Sequence, residues 1–520
     1  MKWKLKNNFY LITVFLFSFF INFYTASTGV LPIDTFLHYD PASRILENII
    51  PVRDYWIVHG LTVDYMQAIF FKLFGVNWIS YLAHSSIFNA VISLITFNFF
   101  LLNNIKKLHA FFLAISFSIL AYPVSGTPFI DQHAVFFCLL GFYFFFFGIK
   151  KNHNYLFFIP IFFGLAFFSK PVPSFYLIFV FIFIFIYYII KTKQFSLIKY
   201  LIYGSIFFLS GIFIFLFSQN IEIDLFFTQI FYYTSSIGGD RLASFEIDYE
   251  KIFTNYKFIL FPIILTFILI LKFEKKKNED INYFIFIIFV LFNFACIYHQ
   301  LLTNNQNFIF FLIPINLSFL VLYLNKNFTN KRIIFLSIIA LFLFSCFTTI
   351  KYHYRFNIEK KFHDLQNVNF KNSLPANKIH PSLKYLNWKT KDYVQPAEEI
   401  LLLREAIKEI EKNDENIMLM TNYSFISSIT KKKIFTISRT YDNISFPNKN
   451  NFYYQQYKDY FIKQINLKNI SQIYLLFNEK DLLNSVNRYV YEYFDNECLK
   501  PEKINKNLMK INLKNCKYFK

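Results

Sequence analysis

Residues 33–75 read IDTFLHYDPASRILENIIPVRDYWIVHGLTVDYMQAIFFKLFG, a concentration of charge and turn residues directly after the first long apolar segment. That segment, Phe9–Ala26, is flanked on its N-terminal side by the basic MKWKLK. Such a run reaches about 27 Å as a helix, close to the ~30 Å hydrocarbon core of a bilayer, so residues 28–77 are expected to form a large first external loop. Leu61–Phe74 is apolar apart from Asp64, Gln67 and Lys72. At roughly 21 Å it is too short to cross and is expected to lie in the interface. Ala26, Ser27 and Thr28 are small enough for signal cleavage, but the run exceeds the usual h-region and the chain beyond it is itself apolar, which favours an uncleaved anchor.

Ten further spanning segments are expected at 78–102, 108–123, 132–149, 154–169, 172–190, 197–218, 257–271, 281–298, 307–324 and 333–350, about eleven in all. With the N-terminus inside, five basic clusters share one face: Lys106 and Lys107; Lys150 and Lys151; Lys191 and Lys193; Lys272 with Lys275, Lys276 and Lys277; and Lys326 with Lys331 and Arg332. The sequence is 55% hydrophobic and 22% aromatic, which marks a polytopic membrane protein. Its net charge of +20 in a soluble chain would suggest nucleic acid, but here topology accounts for the clusters and no nucleic-acid partner is expected. Cys138, Cys296 and Cys346 lie in apolar runs without a C-x-x-C, whereas Cys498 and Cys516 sit in the polar C-terminal region as a disulfide or as two thiols.

From about residue 351 the chain turns polar. PAEEILLLREAIKEIEKN is expected as a capped amphipathic helix with Ile400, Leu403, Ile407 and Ile410 on one face. NIMLM, KIFTI and SQIYLLF are expected as short strands. The fold class is therefore an all-α membrane domain over 1–350 followed by a small α/β domain over 351–520. The second has no glycine-rich phosphate loop and no nucleophile elbow, so acceptor binding or a cap over the site is its expected part.

On this topology the polar residues that could carry chemistry share the outer face. Asp40, before Pro41, has the look of a helix cap. Asp34 has no such local task and is the better candidate for proton transfer, with Asp40 second; a solvated loop charge is the plainer reading. Asp131 opens the fourth helix as a substrate contact or a carboxylate favoured by the helix dipole. With His133 it makes only weak metal spacing; no cofactor is required, and a divalent metal stays open. Lys170, between two apolar runs, must either snorkel to the interface or meet an anion.

An acidic residue after the first helix, then P-x-x-D-Y-W, a His and an apolar run ending in L-F-G resembles the GT-C superfamily of integral-membrane glycosyltransferases. The matching residues are Asp34, Leu46, Pro51, Asp54, Tyr55, Trp56, His59, Tyr65 and Leu73–Gly75, followed in order by Asp131, Lys170 and Arg241. Within the superfamily the pattern is most similar to the aminoarabinose transferase of lipid A and the protein O-mannosyltransferases. The resemblance covers roughly the first 250 residues. It departs at Gly60, where relatives carry proline, and at Pro171, where they often carry glycine.

The resemblance implies transfer of a hexose or pentose, with inversion, from a polyprenyl-phosphate donor to a lipid, glycan or protein acceptor at the outer face of a bacterial inner membrane. Asp34 would be the general base, Asp131 and Asp54 would contact substrate, and Lys170, Arg241, His59 and Arg53 would hold the donor phosphate. An ion pair with Asp240 or Glu246 is the plainer role for Arg241. A lipid or polysaccharide transporter, or an envelope assembly protein without catalysis, is the alternative; neither explains the ordered series of polar residues.

Overall fold

The computed structural model describes residues 2–243, 245, 247–273, 281–303, 308–442, 444–494, 499–514 and 516. Every one of the eleven expected apolar segments is helical. Among the described residues nine helices are long and apolar enough to cross a membrane, and Phe9–Thr25 and His153–Phe167 are shorter apolar helices. Ile130–Lys150 and Ile309–Asn327 form the centre, each with 89% of its apolar stretch buried, whereas only 11% of the stretch in Phe195–Ser218 is covered. Asp131 opens the first of these central helices.

Because lipid offers no hydrophobic drive for helices to associate, buried amides and small hydroxyls hold the bundle together. Asn22 Nδ2 donates to Ser85 Oγ, Ser86 Oγ and the Gly126 carbonyl at 3.0–3.1 Å. Asn89 Nδ2 joins the carbonyls of Ser18 and Ser118. Asn293 and Asn316 exchange side-chain hydrogen bonds of 3.0 and 2.9 Å. At one end, Lys150 Nζ reaches Asn103 Oδ1 and Asn282 Oδ1, so three of the loops expected to carry basic clusters meet. Lys275, Lys276 and Lys277 lie outside the described residues.

At the other end sits the sheet-containing C-terminal domain. β1 (Leu374–Pro375) and β2 (Asn387–Trp388) form an antiparallel pair. β3 (Ile417–Thr421), β4 (Ile434–Phe435), β5 (Gln472–Leu476), β6 (Pro501–Lys503) and β7 (Leu508–Asn512) form one sheet in the order β4-β3-β5-β7-β6. The first three match the expected strands; β3 runs parallel to β4 and β5, and the hairpin β6-β7 adds antiparallel to β5. Pro396–Glu411 buries the expected Ile400, Leu403, Ile407 and Ile410. Its N-cap residue, Gln395, makes no side-chain cap, and Pro396 opens the helix instead. Cys138, Cys296 and Cys346 are free thiols, Cys516 is disulfide-bonded, and Cys498 lies outside the described residues.

Residues 28–77 are sandwiched between bundle and sheet domain. The backbone of 27–30 pairs with Asn387 and Lys389, and Trp56 exchanges backbone hydrogen bonds with Ile437 and Arg439. The Trp56 ring is fully buried among Tyr233, Tyr457 and Tyr460, a burial that contributes roughly 2–3 kcal/mol. Thr62–Phe74 is helical as expected, with Asp64 and Gln67 turned inward and Ile69, Leu73 and Phe74 exposed. That inverted amphipathicity suits a helix lying on lipid.

Candidate active site

Asp131 stands in the first turn of Ile130–Lys150, where the amide dipoles favour a carboxylate. Lys170 occupies the N-cap position of Pro171–Thr192, and its ammonium lies 2.8 and 2.7 Å from the two Asp131 oxygens. His299, in the last turn of Ile281–Leu302, places Nε2 3.1 Å from Asp131 Oδ1. Arg241, in the last turn of Tyr233–Ala243, is within electrostatic reach of His299. Asp131 and Lys170, both singled out in the sequence, thus meet at one centre with His299, and Arg241 acts on it from further off. The side chains of Asp240 and Glu246 lie outside the described residues.

Asp34 is held in the short helix Pro32–Thr35, which Pro32 opens. Among the described residues its carboxylate has no hydrogen-bond or ion-pair partner, although Asp131, Asp442, Lys170 and Asp364 all act on it electrostatically. Burial, reinforced by the neighbouring carboxylates Asp131, Asp442 and Asp364, pushes Asp34 up to about 6 against the pull of Lys170.

His59 belongs to the same group. Burial and the cations Arg439 and Lys170 hold its imidazole well below the usual histidine range, so it is neutral at physiological pH. Gly60 explains how it gets there. A Cβ on Gly60 would lie 1.8 Å from the Phe168 carbonyl oxygen, and Thr62 donates its N–H to that same oxygen at 2.9 Å. The glycine that departs from the family pattern lets the loop press on the turn carrying Ser169 and Lys170.

Sequence reasoning missed a support built from distant segments. Arg439 Nη2 reaches Asp64 Oδ1 at 2.7 Å, His38 Nδ1 at 2.8 Å and the Leu37 carbonyl at 3.2 Å, and His38 Nδ1 lies 2.6 Å from Asp64 Oδ1. All three charged or ionisable groups are buried. Arg439 and His38 flank the segment carrying Asp34, and Arg439 is about 400 residues away in sequence, so no local pattern could have announced it. His133 faces a second buried chain, with Nε2 3.1 Å from His84 Nε2 and Nδ1 2.6 Å from the Tyr122 hydroxyl.

Three expected residues sit elsewhere. Asp40 does not cap its own helix: Tyr39–Leu46 begins one residue earlier, with His38 at the N-cap. Its carboxylate instead accepts from the Ser428 N–H at 2.9 Å, Ser427 Oγ at 2.5 Å and Ser428 Oγ, fixing the loop to the sheet domain. Arg53 and Asp54 pair at 2.7 Å; Asp54 also binds Lys468 at 3.0 Å and the Ile50 N–H, and Arg53 holds the Gln219 carbonyl. They form a separate network that ties helix, loop and sheet domain together.

Residues 58–219 match the family model for dolichyl-phosphate-mannose-protein mannosyltransferases, a span that contains His59, Asp131 and Lys170. Among solved structures, ArnT from Cupriavidus metallidurans in the apo state is similar with a TM-score of 0.50 at 9% identity, covering 97% of this chain and 98% of that chain. ArnT from the same organism bound to undecaprenyl phosphate gives a TM-score of 0.49 at 9% identity, covering 96% and 97%. No curated protein matches the chain by sequence. The fold is thus similar to that of apo ArnT, and the resemblance to GT-C membrane glycosyltransferases read from the sequence is borne out.

Proposed function

We propose that this protein moves a sugar from a polyprenyl-phosphate donor to an acceptor hydroxyl at the outer face of a bacterial inner membrane, with Asp34 as general base. The observation that carries the reading is the contrast at one centre between Asp34, without a partner among the described residues and raised toward neutrality, and Asp131, whose carboxylate is engaged by Lys170 and His299. The matched family model, whose description names an isoprenoid-phosphate mannose donor, supports the donor class.

In the step proposed, Asp34 takes the acceptor's hydroxyl proton as its oxygen bonds to the anomeric carbon. The bond from that carbon to the phosphate oxygen breaks, and the leaving phosphate keeps the electron pair. It needs no proton, only donors and positive charge. Lys170 spends two of its three N–H donors on Asp131 and has one left for phosphate. Arg241 supplies a planar fork, and His59 a neutral N–H. Attack from the side opposite the phosphate gives inversion. Asp131 holds Lys170 and His299 in place, whereas Asp54 and Arg53 serve the docking of loop and domain.

The test is incubation of the purified protein with undecaprenyl-phosphate sugars and envelope lipid or glycan acceptors, read by mass spectrometry, beside the envelope profile of cells with and without the gene. A product formed by the wild type and absent with Asp34→Asn supports the reading. No transfer from any isoprenoid-phosphate sugar, with an unchanged envelope profile, would sink it.

A further inference from the structure

At the bundle end that carries the sheet domain, opposite the Lys150 cluster, three cations surround a small cavity of about 210 Å³. Lys257 comes from the helix Tyr249–Phe273, and Lys351 from the last turn of Lys331–Tyr352. Arg355 comes from the π-helical turn His353–Ile358 that extends it. Lys257 and Arg355 both act electrostatically on Lys351, so the three positive charges repel one another. Among the described residues none of them forms an ion pair; Glu359, four residues after Arg355, does not engage it.

Their near neighbours are rings instead. Lys351 Nζ stands 4.7 Å above the Phe258 ring and Lys257 Nζ 5.6 Å from it, while Arg355 lies 5.8 Å from Phe356. Below, Phe310 stacks on Tyr352 with ring centres 3.6 Å apart and makes a rigid floor. Three like charges gathered on a firm surface without a counter-charge call for an anion from outside. Thr254 and Asn255 add polar lining.

The surroundings say which kind of anion. Phe253, Phe347 and Ile350 stand exposed on the same two helices, and Tyr354 on the π-helical turn, within one turn of the cations. Exposed aromatic and aliphatic side chains beside a basic pocket at a helix end make the contact surface of a lipid at the headgroup level. We propose that Lys257, Lys351 and Arg355 form a binding site for the phosphate headgroup of a membrane lipid, separate from the Asp131 centre and sharing no residue with it.

Native mass spectrometry of the full-length protein in neutral detergent tests this, with dioctanoyl phosphatidic acid, dioctanoylglycerol and inorganic phosphate as probes. The wild type is expected to retain one more phosphatidic acid per molecule than the Lys351→Ala/Arg355→Ala variant, and Arg241→Ala is expected to keep that lipid. Lys257→Gln gives a milder second variant should the double one not fold, as judged by gel filtration. Equal retention by wild type and folded variants, or equal retention of the phosphate-free dioctanoylglycerol, overturns the site. Inorganic phosphate held as tightly as phosphatidic acid overturns the lipid assignment in favour of free phosphate.

Discussion

The ammonium of the partly exposed Lys170 sits against both oxygens of Asp131, which is buried at the start of a central helix. Removing one partner of such a pair leaves the other charge uncompensated at a cost of about 3 kcal/mol, so Lys170→Ala should lower the melting temperature as well as donor binding. The double variant Lys170→Met/Asp131→Asn should regain much of the thermal stability and none of the turnover. Recovery of both together would reduce Lys170 to a structural partner of Asp131.

Asp34→Asn keeps the shape of the side chain and removes the proton acceptor. Turnover should fall by ~10² or more, while the melting temperature holds or rises because a buried charge has been relieved. Arg241→Lys should keep only part of the donor affinity, since the fork is lost. Wild-type turnover in a folded Asp34→Asn protein would remove the proposed base.

The pH profile follows from the same group. The Asp34 carboxyl is raised to about 6, so it is protonated and inactive as a base below that value and ionised above it. Turnover should therefore rise about tenfold per pH unit below pH 6 and level off above it. A profile flat from pH 4.5 to 8 would contradict the assignment.

Asp40→Asn should act through docking. Asparagine can present only one oxygen to the Ser427 and Ser428 donors, so a loss of about 1–2 kcal/mol is expected, with activity restored at lower temperature. Temperature-independent loss of turnover in a folded protein would move the base from Asp34 to Asp40.

Gly60→Ala tests the approach of the loop to the Lys170 turn. The added methyl meets backbone, which cannot swing aside, so His59 and Thr62 must retreat from Phe168. Donor affinity should weaken by about tenfold or more while the helices still insert. An alanine variant with unaltered kinetics would show that the contact does not set the site.

Much of this centre was legible in the sequence because Asp34, His59, Asp131, Lys170 and Arg241 fall in a family order, at loops and helix ends where carboxylates and cations are conspicuous against apolar runs. The spans were legible for the same reason. Asp40 before Pro41 was misread: a carboxylate there satisfies the rule for a cap, yet its partners are serines nearly 390 residues later. Arg439, Asp64 and His38 were silent, since a buried ion pair between distant segments has no spacing to read. β6 and β7 escaped because PEK and LMKIN carry charge at positions that face solvent or lie at an edge.

The pairing of Trp56 with Ile437 and Arg439 also orders events in time. A ribosome delivers the first loop long before it delivers its partners; Arg439 follows Leu37 by 402 residues. Every apolar helix after the first is made in that interval, so the bundle is assembled while the first loop still lacks the Ile437–Arg439 backbone and the guanidinium that hold it. Chains stopped before residue 417 would therefore carry all the membrane helices and none of the five-stranded sheet, with the first loop held by Asn387 and Lys389 but not by Ile437 or Arg439. The last hundred residues thus bring the contacts that complete the seating of the first loop.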